Sequence, residues 1–289
     1  MSYRIITDST CDMPQEYYRE NDIEVIGLTF LMDEKEYVEG PNQGISVKEY
    51  YDMLRAGSNC STMQVNTYDF VAFAEPFLAA GDDVLCLAFS SGLSGTYESY
   101  VRGGQELAEK YPDRKLVIVD TLCASMGEGL LLYYAVENRK NGMSLEDNAA
   151  WLESNKLNLC QWFTVDDLMF LHRGGRVSKT SAILGSLIGI KPVLHVDNEG
   201  HLILMNKARG RAGSINALAE KLHNSALNNI DEQMVMISHG DCLKDAETLR
   251  DLLKEKFGIH KFMISTIGAV IGAHSGPGTI ALFFLGKQR

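Results

Sequence analysis

The chain has 289 residues, of which 45% are hydrophobic and 22% charged, and its net charge is -11 at neutral pH. That length holds one large α/β domain or two smaller ones, and the composition is that of a globular protein with no low-complexity tract. The acidity argues against non-specific nucleic-acid binding, which needs clustered Lys and Arg, and no apolar run approaches the ~18–20 residues that span a bilayer.

RIIT at the N-terminus reads as a strand, followed by the helical segment MPQEYYREN, with Asp12 as its cap and Pro14 in its first turn. IEVIGLTFLM and EYV flank the polar turn DEK, the pattern of a hairpin. Ser46 with Glu49 forms a capping box ahead of EYYDMLRAG, and Asn66 with Asp69 opens the helix FVAFAEPFLAA. VLCLAF and KLVIVD are continuous apolar runs, as expected of strands covered on both faces, and each should lead into a helix. This alternation predicts an α/β fold whose N-terminal part is a mainly parallel sheet with flanking helices. Beyond residue 160 the character changes. WFTV, KPVLHV, HLILM, QMVMIS and KFMIST read as strands, and KPVLHV-DNEG-HLILM reads as a β-hairpin. An antiparallel element there predicts a second, mixed α/β domain, with domains expected at 1–160 and 161–289.

The N-terminus carries no charged segment leading into an apolar one, so no signal peptide is read there. Cys11, Cys60, Cys86, Cys123, Cys160 and Cys242 are scattered without a CxxC pair and read as reduced, mostly buried thiols. A cytoplasmic location is the expectation.

Chemistry should reside in loops at the carboxyl ends of strands. TDST (7–10), FSSGLSGT (89–96), DTLCASMGEG (120–129) and GAVIGAHSGPGT (268–279) are rich in small donors, as is NCSTMQVN (59–66), read as lying between two helices. Several such loops on one edge point to an anion. GxGxxG and GxxxxGK[ST] are both absent, so a carboxylate held by hydroxyls, amides and one imidazole fits better than a nucleotide phosphate. His274 is the one histidine of seven set in a Gly-rich loop. A serine hydrolase using Ser91 or Ser94 with His274 as base is the alternative, although the GxSxG elbow is missing. No metal-ligand spacing is present. SAILGSLIGIKPVL (181–194) and TIALFFLG (279–286) could leave room for an elongated apolar ligand.

Five motifs in order resemble the DegV family of fatty-acid-binding proteins: TDSTCDMP, SSGLSGTY, DTLCASMGEG, LMFLHRGGRVS and GAHSGPGT. The resemblance implies a two-domain carrier enclosing one long-chain fatty acid, with no other cofactor and no catalysis of its own. It also implies a bacterial fatty acid kinase as partner, to which the bound acid is presented for acyl-phosphate formation. By position, Thr62, Ser91 and His274 would hold the carboxylate, with Gly92 and Ser275 beside them. Arg176 would serve kinase docking or phosphoryl transfer, and Lys207, Arg209 and Arg211 of KARGR an exposed kinase-facing patch. This chain departs from the family's TSQPS loop with Thr62-Met63-Gln64-Val65-Asn66. Losing the proline should loosen that loop.

Overall fold

The structure, a computed structural model, describes residues 3–41, 43–178 and 189–289. The first elements are β1 (Arg4–Asp8), α1 (Gln15–Glu20), β2 (Ile23–Ile26), β3 (Thr29–Met32), β4 (Lys35–Val38) and α2 (Val47–Ala56). They are followed by β5 (Cys60–Met63), α3 (Thr67–Ala79), β6 (Val84–Ala88), α4 (Thr96–Lys110), β7 (Leu116–Asp120), α5 (Met126–Lys140) and α6 (Leu145–Asn155). The remainder comprises β8 (Leu159–Thr164), α7 (Met169–Arg173), β9 (Ile190–Val196), β10 (Leu202–Arg209), α8 (Gly210–Ser225), β11 (Val235–His239), α9 (Leu243–Phe257), β12 (Phe262–Thr266), α10 (Ala269–Ser275) and β13 (Ile280–Leu285).

Strands β2-β1-β6-β7 form a parallel sheet. β6 is buried along its whole length because successive side chains serve two cores. Leu85 and Leu87 enter one, Val84, Cys86 and Ala88 the other. Strands β10-β9-β8-β13-β11-β12 form a six-stranded mixed sheet. β9 and β10 make the expected antiparallel hairpin, while β11 and β12 run parallel. Helix α5 joins the two sheets. Its residues from Met126 to Leu132 are all buried, and the core they belong to reaches from Ile5 and Leu85 to Phe163, Met236 and Phe283. A helix segment buried on every side has to be enclosed in this way, and its one charged residue, Glu128, accepts from Thr7 and Thr10. Gly127 permits the contact with the mixed sheet, since a Cβ there would lie 2.4 Å from Gln161 Oε1.

A third, antiparallel sheet β4-β3-β5 stands beside the parallel one. The hairpin expected at DEK is present. Its turn residues Asp33 and Glu34 have φ of 48° and 68°, the positive values a two-residue primed turn requires. The capping box at Ser46 and Glu49 and the Asn66 cap also form.

Three local expectations need correction. IEVIGLTFLM divides at Gly27–Leu28 into β2 and β3, which belong to different sheets. Residues 60–63, read as a loop between helices, form the edge strand β5. Asp12 does not cap α1; its backbone closes the short 3-10 turn Ser9–Cys11. It adopts the left-handed conformation, Pro14 takes the cap position, and the Asp12 carboxylate reaches residue 268 instead. Of the apolar stretch 181–194, residues 181–188 lie outside the described residues.

A mixed cavity between the sheets

Between the parallel sheet, β5, the mixed sheet and α10 lies a cavity of about 430 Å³, in the ~300–1,000 Å³ range of ligand sites. Much of its wall is apolar: Leu28, Phe89, Leu93, Phe163, Leu171, Leu202, Ile271 and Phe283 among others. The polar part of the wall comprises Thr62, Gln64, Ser94, Ser125, Gln161, Arg176, His274, Ser275 and Thr279.

Thr62 and His274, far apart in sequence, meet here. Thr62 comes from β5 and His274 from the last turn of α10, and Thr62 Oγ1 lies 2.8 Å from His274 Nε2. His274 Nδ1 is buried without a partner. We assign the proton to Nε2, because an unpaired ring acceptor is less costly than an unpaired N–H donor. Nε2–H then donates to Thr62, whose own hydroxyl proton is left free for a ligand oxygen. Burial, and next the charge of Arg176, push the imidazole down to about 4, so it is neutral at pH 7. The ring packs against Gly174, where a Cβ would lie 2.0 Å from Nδ1. Only glycine leaves it room. Ser275 Oγ, also in the lining, is buried and unpaired.

Arg176 closes one side. Its guanidinium donates from Nε and Nη2 to Leu93 O at 3.1 and 2.8 Å, and from Nη1 to Gly174 O. Burial lowers its pKa. Thr62, Arg176 and His274 also border an adjoining pocket of about 330 Å³ that adds Ser58, Asn59, Ser61 and Arg173. The head of a ligand bound in the larger cavity would therefore face a second, more polar space holding two arginines.

The serine loop is divided in its duties. Ser94 and Gly95 line the cavity, and Gly95 is pressed by the Gln64 side chain, which a Cβ would meet at 2.4 Å. Ser91 and Gly92 do not line it. Ser91 N donates to Asp120 Oδ1, Ser90 Oγ donates to Gly200 O, and a Cβ on Gly92 would lie 2.5 Å from Glu199 O. The first half of the loop thus holds the β9–β10 turn. In sequence Ser94 stands out only as a candidate nucleophile, and Gln64, Ser125 and Arg173 carry no signal of their own that marks them as lining. Two-residue alternation continued one residue past β5 could have paired Thr62 with Gln64 on one face.

The hydrolase alternative fails on geometry. Neither nitrogen of His274 bonds a serine hydroxyl, since Nε2 meets Thr62 and Nδ1 meets nothing. Lys207 and Arg209 are exposed on β10. Arg211, expected in the same exposed patch, is turned inward. It donates to Asp245 Oδ2 at 2.9 Å and to Gly278 O, because α8 begins at residue 210 and redirects the chain. Among the described residues, no group of three or more His, Cys, Asp or Glu could hold a metal ion, and no helix is long and apolar enough to cross a membrane.

Comparison with known proteins agrees with this architecture. The DegV family profile matches residues 2–287. A DegV domain-containing protein of Clostridium perfringens is 45% identical, covering 99% of this chain and 98% of its own. A DegV lipid-binding protein of Thermotoga maritima superposes with a TM-score of 0.87 at 30% identity and full coverage of both chains. A second T. maritima protein, described as revealing fatty acid binding function, gives a TM-score of 0.85 at 30% identity over 99% of each chain. With family match, sequence identity and fold all in agreement over nearly its full length, the chain belongs to the DegV family.

Proposed function

We propose that this protein binds one long-chain fatty acid, its carboxylate held by the hydroxyls of Thr62, Ser94 and Ser275, with His274 orienting Thr62, and its acyl chain lying along the apolar wall. The observation that carries the reading is the bonded Thr62–His274 pair at the polar part of an otherwise apolar cavity. The lipid and fatty acid binding of structural relatives supports it. On this reading residues 1–160 supply most of the head-group donors and 161–289 much of the acyl-chain wall.

The energetics are consistent. About fourteen methylenes at ~0.8 kcal/mol each give on the order of 11 kcal/mol of burial. Ordering the chain and immobilising the ligand offset much of it. A submicromolar constant remains within reach without an ion pair, so neutral donors set orientation and identity more than raw affinity.

We further propose that the protein is a cytoplasmic carrier and not itself the catalyst, presenting the carboxylate to a fatty acid kinase. The polar pocket bordered by Arg173 and Arg176 supports an approach of phosphoryl chemistry from that side. Kinase contacts are assigned to Arg176, Lys207 and Arg209, with Arg211 in a supporting place beneath them.

Organic extraction and mass spectrometry of protein purified from a lipid-replete host tests the central claim. One equivalent of a C14–C18 acid is expected. Recovery of no acid, together with no uptake of added palmitate or oleate, would overturn it.

A further inference from the structure

Helix α10 brings His274 and Ser275 to the cavity, yet it is only seven residues long. So short a helix has little stability of its own; its position is imposed from outside. The backbone around its first turn is held at four successive residues by four buried side chains from the first 51 residues. Tyr51 Oη donates to Ile267 O at 2.9 Å, and Tyr50 Oη donates to Ala269 O at 2.7 Å. Gly268 N donates to Asp12 Oδ1 at 2.8 Å, and Val270 N donates to Glu39 Oε1 at 3.1 Å. The carboxylates close tightly on the chain: a Cβ on Gly268 would lie 2.2 Å from Glu39 Oε1 and 2.9 Å from Asp12 Oδ1. Asp12 also reaches the cavity wall by a second route, since Ser125 Oγ donates to its Oδ2.

We propose that Asp12 and Glu39 are positioning residues for the head-group site, gripping the first turn of α10 so that its last turn holds His274 against Thr62. The proposal rests on the head-group reading above. Two buried acids are more than a helix start requires. Asp12 is 5% exposed and Glu39 8%, and neither is paired with a cation among the described residues. Glu39 Oε2 has no hydrogen-bond partner. Buried, unpaired carboxyl groups are costly, so apolar residues would serve stability better. What the two acids supply is a pair of acceptors at fixed points, aimed at two amides that a side-chain methyl group cannot hold. Burial, and for Asp12 the neighbouring Glu39, raise both groups above the usual carboxylate range. Either protonation state retains an acceptor oxygen for its amide.

The test is the titration of His274 in the ligand-free protein, followed by its Hε1 NMR signal, alongside palmitate affinity. Asp12→Ala and Glu39→Ala should free α10, let water reach the imidazole, and move its pKa from about 4 toward the ordinary ~6.5. Palmitate should bind about tenfold more weakly. Asp12→Asn and Glu39→Gln keep an acceptor oxygen and should restore both readouts to within about twofold. If the alanine variants do not fold, Gly268→Ala keeps both acids, drives a methyl between them, and should shift the His274 titration the same way. An unchanged His274 titration in Glu39→Ala, or equal effects of Glu39→Ala and Glu39→Gln, would overturn the proposal. Because the titration needs no ligand, absence of palmitate binding in every variant and in the wild type would refute the head-group reading alone.

Discussion

Replacing Thr62 by Val keeps the side chain's shape and removes only its hydroxyl. In the free protein this takes the partner from His274 Nε2, which lies 2.8 Å away, and leaves both ring nitrogens buried and unpaired. That penalty is present with and without ligand, so it lowers stability and cancels from affinity. What affinity registers is the lost Thr62 hydroxyl–carboxylate bond. A hydrogen bond to a charged acceptor contributes about 1.5–3 kcal/mol, which corresponds to roughly 10- to 150-fold in Kd. Because His274 acts through Thr62, the two effects should not add. His274→Ala in the wild-type background leaves the hydroxyl unoriented and weakens binding; in the Thr62→Val background it should change Kd by less than about twofold. The cycle is measured by calorimetric titration with palmitate at pH 7, with thermal unfolding recorded for each variant. Additive effects, or a Thr62→Val protein that binds as tightly as wild type, would refute the relay.

The division of the serine loop gives a second expectation. Ser94→Ala should weaken palmitate binding by about 1–2 kcal/mol, whereas Ser91→Ala should leave it within about twofold; the reverse ranking would show that the loop faces the other way. A third concerns pH. Burial pushes Asp8 up to about 6, so between about pH 4 and 6 the unfolded chain binds fewer protons than the folded one. Stability therefore falls as pH rises through that window, by about 3 kcal/mol from this group. Asp8→Asn, compared with wild type by urea unfolding at pH 4 and pH 7, should be less pH-sensitive by that amount, and an unchanged difference would contradict the assignment.

Much of this molecule is legible residue by residue. The continuous apolar strand VLCLA, the Asp33–Glu34 turn, the box at Ser46 and Glu49 and the β9–β10 hairpin rest on residue patterns within a short stretch, so local sequence determines them. That Thr62 and His274 come together is also legible, through motifs that span the chain. Other features were decided only when the chain closed on itself. Ser90 reaches Gly200 across 110 positions, and that docking turns Ser91 and Gly92 away from the cavity and Ser94 toward it. Arg211 is drawn inward by Asp245, on a different helix. Asp12, which resembles an ordinary helix cap in sequence, finds its amide 256 residues away. A hydroxyl, guanidinium or carboxylate takes whichever partner lies within about 3 Å, and no local pattern specifies which distant backbone the packing of two sheets around α5 will bring there.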